Sequence, residues 1–65
     1  PLTDLEVEQL GRLLRDRNNR VAHNLLAFSG VRTVAGLMAR LMISEPQERA
    51  ILVSAIRRAI EISER

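Results

Sequence analysis

His23 is the chain's one histidine, and among 65 residues there is no cysteine to work beside it. An imidazole becomes a catalytic base when a nucleophile and an orienting carboxylate are brought to it, and a metal site needs several ligands. Flanked by Ala22 and Asn24, His23 has neither in its own segment. Most of the eight carboxylates sort onto expected helix starts and four-residue ion pairs such as Glu8 with Arg12 and Glu61 with Arg65. No glycine-rich phosphate loop is present. These residues predict a non-enzymatic protein with no cofactor, no metal and no small-molecule substrate.

The cations are the second chemical resource. All ten are arginine, against eight acids, for a formal charge of +2. Guanidinium groups favour bidentate contacts to carboxylate or phosphate, but a nucleic-acid footprint requires them clustered on one face. Arg20, Arg32, Thr33 and Arg40 are the residues that would make such contacts if the fold gathers them. They suit phosphates better than base edges, because a reading helix must offer several donors and acceptors to the groove.

The elements that hold these side chains follow from apolar spacing and capping signals. Thr3-Asp4-Leu5-Glu6 has the form of a capping box, so a first helix starts at Asp4 and buries Val7, Leu10, Leu13 and Leu14. Gly11 inside it suggests a close crossing by another helix. Asn18-Asn19 breaks the chain, since Asn tolerates the left-handed conformation and caps a following helix. A second helix then runs from Arg20 to Phe28, with Val21, Ala22, Leu25, Leu26 and Phe28 inward. Ser29-Gly30 stops it.

The stretch from Gly30 to Ile43 reads as a central helix beginning between Val31 and Val34. Val31, Val34, Leu37, Met38, Leu41 and Met42 form its stripe, Ala35 and Ala39 line the rim, and Arg32, Thr33 and Arg40 make a narrow polar strip. Ser44-Glu45-Pro46-Gln47 reads as a second capping box with Pro46 in the first turn. The fourth helix, from Glu45 to about Ser63, presents Ile51, Leu52, Ala55, Ile56, Ala59, Ile60 and Ile62, with Val53 at the margin. Both apolar arcs approach 200°, well beyond the stripe of an ordinary surface helix.

Length turns that surplus into a functional expectation. A chain this short buries only about 60% of its unfolded surface, and it has no disulfide and a single aromatic, Phe28, to compensate. With 46% hydrophobic residues, self-association is the expected remedy, through Ala35 and Ala39 or Ala55 and Ala59 as close-approach positions. No apolar run reaches membrane-span length or follows a basic leader, so no membrane partner and a cytoplasmic location are expected. Starting at Pro1, residues 1–65 read as a single helical domain excised or trimmed from a longer chain.

Leu2-Thr3, Glu6, Glu8, Leu10, Val21-Ala22, Ser29 and Thr33-Val34 resemble the helix pattern of LuxR-type response-regulator DNA-binding domains. The interval from Ala22 to Thr33 exceeds that pattern by about two residues, and its usual glycine before the second helix is Asp16 or Arg17 here. Gly30-Val31 and Thr33-Val34 through Leu37 resemble helix-hairpin-helix domains such as the C-terminal domain of the RNA polymerase α subunit equally well. No family is assigned on words shared by both.

The sequence thus predicts an all-α, compact four-helix domain with short turns, acting as a regulatory protein-interaction and oligomerisation module. A homodimer or another protein is the expected partner. Val34, Leu37, Met38, Leu41, Leu52, Ile56 and Ile60 are its expected core or interface. The alternative is helix-turn-helix-like nucleic-acid binding for transcription regulation, using residues 20–42.

Overall fold

A computed structural model describes all 65 residues and is all-α. Its helices are α1 (Asp4–Arg15), α2 (Arg20–Phe28), α3 (Val34–Ile43) and α4 (Pro46–Ser63). Helix α4 packs across α1 and α2, and α1 also touches α2 and α3. The organising element is therefore α4 and not the 30–43 stretch, which joins the bundle chiefly through α1.

The predicted starts of α1 and α2 hold for local reasons. Thr3 Oγ1 accepts from the Glu6 amide at 3.1 Å while Glu6 Oε1 accepts from the Thr3 amide at 2.9 Å, closing the capping box. Asn19 Oδ1 accepts from the Ala22 amide at 3.1 Å. The break before it differs from expectation, because no residue other than glycine takes a positive φ. Asp16 makes the turn instead, its Oδ1 accepting from the Asn18 amide at 2.9 Å.

After Phe28 the chain closes with a Schellman pair: the Val31 amide donates to the Leu26 carbonyl at 3.0 Å and the Gly30 amide to the Ala27 carbonyl at 3.1 Å. Gly30 sits at φ 71°, where a side chain would be strained. Helix α3 starts at Val34, capped by the Thr33 hydroxyl on the Gly36 amide at 3.0 Å. Val31 stays outside the helix and packs on the core from the loop.

The second capping box does not form. Glu45, not Ser44, is the N-cap of α4 and makes no side-chain cap bond. The buried Ser44 hydroxyl turns back and donates to the Arg40 carbonyl at 2.6 Å, serving the end of α3. Arg49 completes that end by donating to the carbonyls of Leu41 at 3.0 Å and Ser44 at 2.7 Å. Backbone acceptors left over by α3 are thus satisfied from the first turns of α4.

The core gathers Leu10 and Leu13 from α1, Ala22, Leu25 and Leu26 from α2, Leu37 and Leu41 from α3, and Leu52, Ile56, Ala59 and Ile60 from α4. Gly11 marks no helix crossing: nothing lies within 4 Å of where its Cβ would be. A two-point ion pair ties the start of α1 to α4, with Arg57 Nε donating to Glu6 Oε2 at 2.8 Å. That guanidinium, followed by the Thr3 amide, holds the Glu6 carboxyl at about 2, well below its ordinary range, and Arg57 is raised in turn.

Candidate interaction surface

Five of the residues predicted as core or interface, Leu37, Leu41, Leu52, Ile56 and Ile60, are buried inside this one chain. Val34 and Met38 are half-buried and pack against that core. The surplus of apolar surface exists, but on other side chains. Phe28, expected as a core anchor, is 69% exposed, and Met42 and Ile51, expected on buried stripes, are 81% and 56% exposed. Val21 and Ile62 also reach solvent, as do Leu5 and Ile43. Ala35 and Ala39 face outward with no helix against them.

The cause is geometric. A helix contacted from one side buries one stripe however apolar its remaining surface is. Phe28 stands in the last turn of α2, beside the depression between α2 and α4. Met42 and Ile43 stand in the last turn of α3 and are largely exposed there.

These side chains frame two depressions. One, of about 480 Å³, lies among α1, α3 and α4, with walls from Leu2, Val7, Met38, Leu41, Met42 and Val53 and with Arg49 at its edge. The other, of about 250 Å³, lies between α2 and α4 and is lined by Val21, Leu25, Phe28, Ala55, Ala59 and Ile62, with Asn24 and Arg58 as its polar members. Ala55 and Ala59, named from spacing as close-approach positions, contribute the short side chains that leave this second groove open.

The accessible surface is 4720 Å². A folded monomer of this mass is expected to expose about 4,200 Å², leaving roughly 500 Å² in excess. Loose folding is not the reason. The radius of gyration is 10.8 Å, and about 10.7 Å is expected for this length.

The residues weighed for nucleic-acid contact do not act as one set. Thr33 spends its hydroxyl on the α3 cap. Arg40, from the polar strip read on the central helix, is only partly exposed and is paired with Glu48 across the α3–α4 turn. Arg20 and Arg32 are exposed and have no carboxylate partner, as do Arg15 and Arg17 beside the first turn. His23 is exposed, and its Nε2 donates to the Asp16 carbonyl at 3.2 Å, stitching α2 to the preceding turn.

Sequence reasoning missed Arg49, whose targets lie five and eight residues back. It also missed the tie from Asn19 Nδ2 to Ser63 Oγ at 3.0 Å, which pins the start of α2 to the end of α4. No helix is long and apolar enough to cross a membrane. Compared with models of protein families, with curated proteins and with solved structures, the chain matches none of them.

Proposed function

We propose that this protein is a non-enzymatic, regulatory interaction module that self-associates as a homodimer. The observation that carries this reading is large apolar side chains left in solvent on a chain that is as compact as is usual for its length. Monomers seldom leave clustered apolar surface uncovered unless something binds there. The non-enzymatic part rests on the few groups with chemistry to offer. His23 is engaged with the backbone, and Glu6, Glu8, Glu48 and Glu61 are each occupied by an arginine.

A dimer that forms only from folded chains makes unfolding depend on concentration. The thermal midpoint, followed by circular dichroism, is expected to rise as the chain is concentrated through the micromolar range. A midpoint independent of concentration would remove this reading.

Nucleic-acid binding is the second reading, favoured by the unpaired Arg20 and Arg32. Its test is retention on duplex DNA at low salt, abolished in an Arg20→Ala, Arg32→Ala variant. No retention at low salt ends it.

A further inference from the structure

We propose that the corner where α1 turns into α2 is where this protein holds nucleic acid, with Arg15, Arg17 and Arg20 each against a backbone phosphate of duplex DNA and no base read. This rests on the nucleic-acid reading and shifts its contact from residues 20–42 to that corner.

The ten arginines divide by what they already hold. Arg12, Arg40, Arg57, Arg58 and Arg65 each pair with a carboxylate, and Arg49 is spent on the carbonyls of Leu41 and Ser44. Arg15, Arg17, Arg20 and Arg32 remain, exposed and without a carboxylate. Arg32 stands alone before α3. The other three occupy the last residue of α1, the turn and the first residue of α2. That turn is folded by other groups. The Asp16 carbonyl accepts from the Asn19 amide at 3.1 Å and from His23 Nε2 at 3.2 Å, and Asp16 Oδ1 accepts from the Asn18 amide at 2.9 Å. Asn19 is spent on the Ala22 amide and the Ser63 hydroxyl. The turn therefore keeps its shape without the three guanidinium groups, which are left to solvent.

Charge and chemistry favour a phosphate backbone as the occupant. An arginine held by a carboxylate must give it up before it takes a phosphate, whereas these three give up only water. The acids nearby are fewer: Asp16 in the turn itself and Glu64 beside Ser63, neither paired with an arginine, while Glu61 is already taken by Arg58 and Arg65. Duplex DNA carries about one charge per 1.7 Å of axis, so cations this close in the chain meet several phosphates at once. Each guanidinium matches a phosphate bidentately. Base edges are beyond this corner's means: His23 is engaged with Asp16, and Asn18 is the one exposed amide in the turn. Contacts to phosphate alone carry no sequence information.

The test is the fluorescence anisotropy of a labelled duplex titrated with the chain at several salt concentrations, since each phosphate contact adds about 0.9 to the slope of log affinity against log salt. Arg15→Gln, Arg17→Gln is expected to keep its helical circular dichroism, to lose about two-thirds of that slope and to bind roughly 10-fold or more weakly at low salt. Arg40→Gln, Arg58→Gln removes the same charge from side chains that hold carboxylates and is expected to bind like the unaltered chain. If the two variants bind alike, the corner is not the contact, while the nucleic-acid reading stands. If polyglutamate displaces the duplex at equal charge, the corner suits acidic chains and the DNA assignment falls. If the unaltered chain binds no duplex at low salt, both fail.

Discussion

Helices α3 and α4 invert the expectation that the most apolar segment is the most buried. Eight of the ten residues of α3 are apolar, yet only Leu37 and Leu41 are buried. Helix α4 carries Glu48, Arg49, Arg57, Arg58 and Glu61 and still buries Leu52, Ile56, Ala59 and Ile60. The difference lies in their neighbours: α4 lies across two helices, and α3 leans on one. Apolar content sets how much surface seeks cover, whereas topology sets how much receives it. The remainder is what a partner can use.

The contrast can be broken most easily in the core. Ile56→Ala on α4 and Leu37→Ala on α3, both fully buried, should each cost about 2 to 5 kcal/mol in urea unfolding. Met42→Ala at the exposed end of α3 should stay within about 0.5 kcal/mol. An equal cost at Met42 and Leu37 would mean that α3 is covered on both sides.

Arg49 sharpens the comparison, because it is the α4 residue that closes the end of α3. Arg49→Ala should cost on the order of 1 kcal/mol for the lost carbonyl partners. Amide exchange should quicken at the end of α3 and remain slow in the middle of α4. Uniform exchange along both helices would show that the guanidinium does not hold that end.

The smallest effect is expected at the α1–α4 pair. Glu6 titrates near 2 in the fold, against an ordinary 4.5, so its contribution is present above about pH 4.5 and is lost as the pH falls toward 2. Glu6→Gln keeps the amide acceptor for Thr3 and removes the charge. The variant should be less stable at neutral pH, with the gap to the unaltered chain closing through that window. A gap that persists at pH 2 would assign the effect to packing instead of the Arg57 pair.

What could be read in the sequence was what neighbouring residues decide. The Thr3–Glu6 box, the Asn19 cap and the Gly30 turn each involve side chains and amides within a few positions, and each formed. The Ser44–Gln47 box failed because Ser44 spends its hydroxyl on the Arg40 carbonyl behind it. Arcs of apolar residues announced a surplus on two helices without saying which half another helix would cover. Phe28, Met42 and Ile51 were therefore placed inside when the topology leaves them out. Ala55 and Ala59 were legible as close-approach positions by spacing, and the groove they open required α2 beside them.

Self-association is tested most directly by sedimentation equilibrium of the unaltered chain across the micromolar range. The account predicts an average mass that climbs from 7.3 kDa toward twice that value as concentration rises. A constant mass of 7.3 kDa up to the highest concentration would contradict it.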